Sequence, residues 1–265
     1  MQDLRISLVQ GETRWHDPAG NRDYYGALIA PLAGQTDLVV LPETFTSGFS
    51  NEAIDQAEGM DGATVAWIRE QAATLDAAIT GSVQLRTAEG VFNRLLFATP
   101  DGDLQHYDKR HLFRYANEHM RYAAGSERLT LDWKGWRINP LVCYDLRFPV
   151  FARNRYDVER PGQLDFDLQL FVANWPAPRA YAWKTLLRAR AIENLCYVAA
   201  VNRAGTDGNG HDYSGDSAVI DMLGQPVVEL PAGEGVVTTT ISAEALAAHR
   251  EKFPAMLDAD RFELR

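Results

Sequence analysis

Cysteine is scarce in this chain, which holds only Cys143 and Cys196 among 265 residues. Two cysteines are too few for a disulfide framework, and they lack the paired spacing of a zinc site. The six histidines include no His-x-His or His-x-x-x-His pair, so the sequence predicts no metal centre. A chain of this length buries enough surface to fold without cross-links, and a reducing compartment is expected.

Long hydrophobic runs and an excess of basic residues are also missing. The longest apolar runs, at 38–41 and 197–201, are far shorter than the ~20 residues that cross a bilayer. The acidic start at Asp3 is unlike a signal peptide. The chain has 26 Lys plus Arg against 36 Asp plus Glu, a net charge of −10, whereas nucleic-acid binding needs a concentrated basic face. These features predict a cytoplasmic protein with a small-molecule partner and with neither nucleic acid nor membrane as a partner.

Short apolar runs bounded by turn residues alternate with helical patterns along the chain. The helical patterns cover residues 21–33, 63–75, 182–194 and 243–252. This alternation predicts an α/β fold, and hairpin-like turns at 101–102 and 223–224 predict that its sheet is mixed. The apolar runs predict strands at 6–9, 37–41, 78–83, 94–98, 137–142, 168–173, 196–201, 217–220 and 236–241.

No linker, repeat or low-complexity segment divides the chain. We therefore expect one domain over residues 1–265, which from about residue 243 onward consists of a helix and a C-terminal tail. The segment 204–214 is rich in Gly and Asp but has no Lys-Ser pair after its glycines, as a phosphate-binding loop would. It is predicted to be a flexible surface loop.

Two reactive side chains stand where a buried-type strand ends. Cys143 follows the run 137–142, and Glu43 follows the run 37–41 and Pro42. Strand ends deliver side chains to the rim of a sheet, where α/β proteins place their sites. Position alone leaves a second interpretation open for each, a buried structural thiol and a solvated carboxylate. Cys196 has no charged neighbour on its strand and is assigned to the core.

Three sequence blocks, read together, resemble a known family. They are LPE at 41–43, YDKRHLF at 107–113 and CYDLRFP at 143–149. In order and spacing they resemble the signature blocks of the nitrilase superfamily of carbon-nitrogen hydrolases. Residues 42–49 and 143–149 are most similar to the omega-amidases, which hydrolyse the terminal amide of 2-oxoglutaramate and similar 2-oxo acid amides. The resemblance implies a four-layer αββα sandwich with two mixed β-sheets.

The resemblance also implies a role for each matching residue. Cys143 is the expected nucleophile, Glu43 the general base, Lys109 the cation that stabilises the intermediate, and Glu118 a second carboxylate. The backbone N–H of Tyr144 is expected to assist Lys109 at the oxyanion. This set suits amide hydrolysis because a thiol attacks as thiolate, and a nearby ammonium favours the thiolate. All the chemistry lies on side chains, so no cofactor is expected.

Arg147 is the predicted specificity residue, because its guanidinium could hold a substrate carboxylate by a bidentate pair. A structural pair with Asp145 is the alternative interpretation. Further candidates for the substrate-binding walls are Phe45, Phe113, Asn174 and Trp175. Core packing is the alternative for the three aromatic residues.

The predicted function is hydrolysis of the terminal amide of a small dicarboxylic 2-oxo acid monoamide through a cysteinyl thioester. An N-carbamoyl amino acid, another aliphatic amide or a nitrile is the alternative substrate. A non-catalytic, partner-binding member of the fold is a further alternative, although no motif residue is lost. A redox pair of Cys143 and Cys196 is neither supported nor forbidden by their spacing. A homodimer is expected by resemblance alone.

Overall fold

Two mixed six-stranded sheets form the centre of the computed structural model, which describes residues 1–156 and 164–264. The first sheet has the spatial order β14 (Gly235–Ile241), β1 (Leu4–Gln10), β2 (Leu38–Val40), β3 (Ala78–Thr87), β4 (Gly90–Ala98) and β5 (Leu104–Asp108). The second has the order β13 (Pro226–Glu229), β12 (Ala218–Ile220), β9 (Tyr197–Asn202), β8 (Leu168–Ala173), β7 (Trp136–Val142) and β6 (Leu131–Trp133). The predicted mixed character is confirmed, because strands β1 to β3 and β7 to β9 run parallel while the outer strands pair antiparallel.

The alternation of apolar side chains explains how the sheets stack. Ile6 and Leu8 of β1 belong to a buried core that also includes residues of β7, β8 and β9, so this face of the first sheet packs against the second. Val9 belongs instead to a core shared with helix residues. Successive side chains of a strand point to opposite faces, and the first sheet is therefore buried on both sides.

Helices cover the outer faces of both sheets. They are α1 (Pro18–Ile29), α2 (Ala63–Leu75), α3 (Ala180–Asn194) and α4 (Ala243–Lys252). Helices α1 and α2 pack on the first sheet, whereas Trp183 and Leu187 of α3 pack with strands of the second. The predicted four-layer αββα sandwich is thus confirmed. In the described residues no helix is long and apolar enough to cross a membrane.

Two predicted elements need correction. The helix expected over 21–33 begins earlier, because Asp17 caps it by accepting a hydrogen bond from Gly20 N and Pro18 occupies its first turn. It ends at Ile29, and Pro31 then lies in a short 3-10 turn. The segment 204–214 was expected to be a flexible loop, but it forms a hairpin of β10 (Ala204–Thr206) and β11 (Asp212–Ser214).

Two neighbouring strands of the first sheet, β1 and β14, come from opposite ends of the chain. Strand β1 pairs antiparallel with β14, with Leu4 opposite Ile241 and Gln10 opposite Gly235. The sheet is completed by a segment more than two hundred residues away in sequence. Helix α4 follows β14 directly, beginning at a Ser242 cap that accepts from Ala245 N. The expected helix from residue 243 is therefore present.

Candidate active site

Cys143 lies at the tip of a tight turn between β7 and a 3-10 segment, Cys143–Arg147. Its φ of 46° places it in the left-handed region, which is unfavourable for a residue with a Cβ and recurs at active sites. The thiol is half-buried, lines a cavity of about 640 Å³ and lies 3.9 Å from the backbone oxygen of Asn174, to which it donates. The turn thus presents the thiol to the cavity.

Asp145 fixes this turn against the first sheet. Its Oδ2 accepts hydrogen bonds from Val142 N at 3.0 Å and from the Tyr107 hydroxyl at 2.8 Å. Its Oδ1 accepts from His111 N at 3.0 Å and lies 2.7 Å from His111 Nδ1. Both carboxylate oxygens are therefore engaged by groups other than Arg147. The structural pair of Arg147 with Asp145, an alternative from the sequence, is not formed.

Lys109 is held between two buried carboxylates. Its Nζ donates to Glu43 Oε1 at 2.9 Å and to the Glu118 oxygens at 3.1 and 3.0 Å. The Lys109 side chain is 1% exposed, and those of Glu43 and Glu118 are fully buried. Burying charges is unfavourable unless they are paired and hydrogen-bonded, as these are. The solvated interpretation of these carboxylates is thus excluded.

Asn93, in the middle of β4, is a site residue that the sequence analysis missed. Its Nδ2 donates to Glu43 Oε1 at 2.8 Å and to Glu118 Oε1 at 3.4 Å, so it links both carboxylates. The available signal was an amide directly before the predicted strand 94–98, because a polar group that is buried in a strand requires partners. Glu43 and Lys109 line the cavity, and Asn93 and Glu118 are hydrogen-bonded to them. We call these four residues the floor of the cavity.

Asn174 orients Glu43 from the second sheet. Its backbone N–H donates to Glu43 Oε2 at 2.7 Å, and its side-chain Nδ2 donates to the Glu43 carbonyl oxygen at 2.7 Å. Asn174 directly follows β8, as Cys143 follows β7. The second sheet therefore positions the thiol and also the residue that orients the Glu43 carboxylate. The site therefore exists only where the two sheets meet.

Burial dominates the electrostatics of the floor. It raises the pKa of the Cys143 thiol well above its ordinary value, and the Glu43 charge raises it further, while Lys109 opposes both. The expected lowering of the thiol pKa by Lys109 is present but is outweighed by burial and by Glu43. Burial alone would lower the pKa of Lys109, yet the charges of Glu118 and Glu43 raise it. Burial also raises the pKa of Glu118, against the effect of Lys109.

Most of the other predicted residues line the same cavity. Phe113, Tyr144, Arg147, Asn174 and Trp175 are part of its wall. Tyr115 and Arg179, which the sequence analysis missed, also line this cavity. We call Phe113, Tyr115, Arg147 and Arg179 the rim.

Phe45 was expected to be a wall residue, and this expectation is wrong. Its side chain is fully buried and packs edge-on against Tyr25 and beside Trp67, in the core between the first sheet and its helices. Glu43 and Phe45 are two positions apart, but the chain turns between them at Thr44, which has a φ of 44°. The turn directs Glu43 to the cavity and Phe45 to the core.

The hairpin β10–β11 supplies a wall that the sequence did not predict. Asp207 accepts hydrogen bonds from Asn209 N at 2.8 Å, His211 N at 2.9 Å and the Tyr213 hydroxyl at 2.9 Å. The Arg203 guanidinium stacks over the Tyr213 ring at 4.8 Å. The tip of the hairpin is therefore well fixed by hydrogen bonds, and residues 207 and 209–213 line the cavity.

Comparison with known proteins gives matches along the whole chain. Residues 5–251 match the carbon-nitrogen hydrolase family. The chain is 47% identical to the omega-amidase YafV of Escherichia coli (strain K12) over all 265 residues of both. It is 33% identical over 256 residues to the 2-oxoglutaramate amidase of Bacillus subtilis (strain 168), covering 96% of each. The crystal structure of XC1258 from Xanthomonas campestris, a CN-hydrolase superfamily protein with an arsenic adduct in the active site, is 81% identical over 100% of both chains, with a TM-score of 0.99.

Proposed function

The chain belongs to the carbon-nitrogen hydrolase family and hydrolyses amide C–N bonds, and from this premise we propose that it is an omega-amidase. The substrate would be a small dicarboxylic 2-oxo acid monoamide, such as 2-oxoglutaramate or 2-oxosuccinamate. The products would be ammonia and the dicarboxylate. The observation that carries this proposal is the Lys109 ammonium held between Glu43 and Glu118 in the cavity that Cys143 lines.

In the first half of the reaction, the Cys143 sulfur attacks the amide carbon while its proton passes to the Glu43 carboxylate. A thiol with a raised pKa requires such a base during attack. The negative oxygen of the tetrahedral intermediate meets the Lys109 ammonium and the Tyr144 N–H, which lies in the first turn of the 3-10 segment, where N–H groups lack intrahelical partners. The C–N bond then breaks, and Glu43 returns the proton to the leaving nitrogen to give ammonia.

In the second half, water attacks the carbonyl carbon of the cysteinyl thioester. Glu43 or Glu118 takes a proton from this water, the C–S bond breaks, and the Cys143 sulfur is protonated again. The carboxylic acid that leaves is negatively charged at neutral pH and is repelled by the ionised Glu43. Besides water, both halves thus use the thiol, the side chains of the floor and the Tyr144 backbone N–H.

Arg147 would select the substrate. Its guanidinium carbon lies 4.8 Å from the centroid of the Trp175 ring, at the rim of the cavity. A stacked guanidinium keeps its in-plane N–H donors available for a carboxylate. The far end of a dicarboxylic monoamide carries such a carboxylate, whereas a neutral amide does not.

The proposed function is tested by measuring ammonia release from 2-oxoglutaramate, a neutral amide of equal length, an N-carbamoyl amino acid and a nitrile. We expect the highest kcat/KM for 2-oxoglutaramate and no release by Cys143→Ala. Acid quenching during turnover, followed by intact mass measurement, is expected to detect the acyl group on the wild-type chain only. A preference for the carbamoyl compound or the nitrile would contradict the proposal.

Assembly and compartment complete the proposal. We propose a cytoplasmic homodimer, on the strength of the family resemblance and of the composition. Light scattering during size-exclusion chromatography is expected to give twice the chain mass of 29.6 kDa. A monomeric mass at micromolar concentration would contradict this assembly.

A further inference from the structure

The rim contains two arginines whose guanidinium groups contact aromatic rings. Arg147 lies over Trp175, and the guanidinium carbon of Arg179 lies 5.5 Å from the Phe113 centroid and 5.9 Å from that of Tyr115. Within residues 1–156 and 164–264, neither guanidinium has a hydrogen bond or an ion pair. Stacking uses the flat face of a guanidinium and leaves its five N–H donors unused.

Other stacked arginines of this protein use their donors. Arg110 lies 5.6 Å from the Phe151 centroid, and its Nη1 donates to the carbonyl oxygens of Gly125 and Ser126. The stacked Arg203 donates through Nε to the Ala204 carbonyl oxygen. These two arginines hold loops in place. The unused donors of Arg147 and Arg179 therefore distinguish the rim from comparable stacks elsewhere.

The two rim arginines share one framework. The ring beneath Arg147 belongs to Trp175, whose Nε1 donates to the backbone oxygen of Arg179 at 2.8 Å. The ring beneath Arg179 belongs to Phe113, which packs edge-on against Tyr144, the neighbour of Cys143, at 5.0 Å. Both guanidinium groups are thus positioned on the wall that surrounds the thiol.

The backbone position of Arg179, at the start of a helix, is unfavourable for a cation. It is the N-cap residue of α3 and its side chain makes no capping hydrogen bond. The N-terminal end of a helix carries a partial positive charge, so a cation is unfavourable there. Residues that are unfavourable for stability and point into a cavity are commonly retained for binding.

We propose that Arg179 is a second specificity residue, which binds the anionic 2-oxo acid end of the substrate together with Arg147. The inference rests on the proposed function and deepens it. A 2-oxo carboxylate presents three acceptor oxygens close together, and one guanidinium fork pairs with two of them. The second guanidinium supplies donors for the third oxygen. A pair of guanidinium groups thus matches the acceptor oxygens of a 2-oxo acid better than those of a simple carboxylate.

The test compares Arg179→Ala and Arg179→Lys with Arg188→Ala as the matched control. Arg188 lies on the same helix but pairs with Glu229 outside the cavity. We expect Arg179→Ala to lower kcat/KM for 2-oxoglutaramate about 10- to 100-fold and for a neutral amide less than twofold. Arg179→Lys is expected to recover only part of the loss. The Tm of Arg179→Ala is expected to be no lower than that of the wild type.

A binding measurement separates this inference from the proposed function. Calorimetric titration with 2-oxoglutarate, used as the probe, compares Cys143→Ala with Cys143→Ala/Arg179→Ala and Cys143→Ala/Arg188→Ala. We expect weaker binding only for the Arg179 variant. Equal Kd values in all three, or no binding by Cys143→Ala, would overturn the role of Arg179. Failure of the wild type to hydrolyse 2-oxoglutaramate would overturn the proposed function, and the titration would still decide about Arg179.

Discussion

The floor and the rim of the cavity use their polar atoms in opposite ways. On the floor, Lys109 and both carboxylates are buried and hydrogen-bonded to one another. On the rim, Arg147 and Arg179 lie on aromatic rings, and their donors have no partner in the described part of the chain. A saturated network keeps its geometry during a reaction, whereas unused donors are available to a ligand. We infer that the floor serves the chemistry of every substrate and that the rim selects among substrates.

The largest effect is expected for the thiol above the floor. Cys143→Ala is expected to reduce kcat about 10⁴-fold or more for every amide, since Cys143 is the only thiol among the described residues that line the cavity. Cys196→Ala, in the core, is the control and should keep kcat within about threefold, with some loss of stability. Steady-state kinetics and thermal denaturation measure both. Residual activity of Cys143→Ala above this level would contradict a cysteine mechanism.

The next effect concerns the buried cation. Lys109→Met leaves Glu43 and Glu118 buried without their ammonium partner, which is expected to reduce stability by about 3–5 kcal/mol. The kcat for charged and neutral amides should fall equally, by about 10²-fold or more. Urea denaturation and kinetics measure the two effects. Adding Glu118→Gln should restore part of the stability but none of the activity, and restored activity would contradict the role of Lys109.

A smaller and selective effect is expected at the rim. Arg147→Ala removes a charge-assisted pair of about 1.5–3 kcal/mol, so kcat/KM for 2-oxoglutaramate or succinamate should fall by roughly one to two decades. A neutral amide of equal length should lose little, and Arg147→Lys should recover part of the loss. An equal loss of kcat/KM for the charged and the neutral amide, or unfolding of the variant, would contradict the inference that the rim selects among substrates.

The smallest effect is a pH dependence of stability. The pKa of Glu118 is raised in the folded chain above its ordinary value of 4.5. A raised pKa means that the contribution of Glu118 to stability is complete below pH 4.5 and is lost as the pH rises through the folded value. The stability of the wild type relative to Glu118→Gln should therefore fall as the pH rises above 4.5. Thermal denaturation at several pH values measures it, and a constant difference would contradict the raised pKa.

The elements that local sequence determines were predicted well. Helices α2 and α4 have the predicted bounds, because apolar periodicity and flanking residues mark them in the sequence. The positions of Glu43, Lys109 and Cys143 at strand ends also follow from local signals. The choice of an αββα sandwich did not follow from them and depended on the family resemblance.

The features that the sequence analysis missed or misplaced depended on contacts that the local sequence does not show. Asn93 belongs to the site because β4 brings it between two carboxylates that lie 50 and 25 positions away. The hairpin at 204–214 is held by Asp207, whose partners were not evident from a glycine-rich composition. Phe45 was misplaced because the turn at Thr44 reverses the direction of its side chain. Each error concerns a feature that tertiary contacts decide.

The pairing of β1 with β14 has a consequence for the order of synthesis. All residues of the floor lie within the first 118 positions, but the sheet that carries them has an unpaired edge at β1 until residues 235–241 have been made. Exposed strand edges are sites of aggregation. A nascent chain that already holds the thiol and the floor thus cannot complete the sheet before almost the whole chain leaves the ribosome. The sheet that carries the floor is consequently completed only at the end of translation, when β14 pairs with β1.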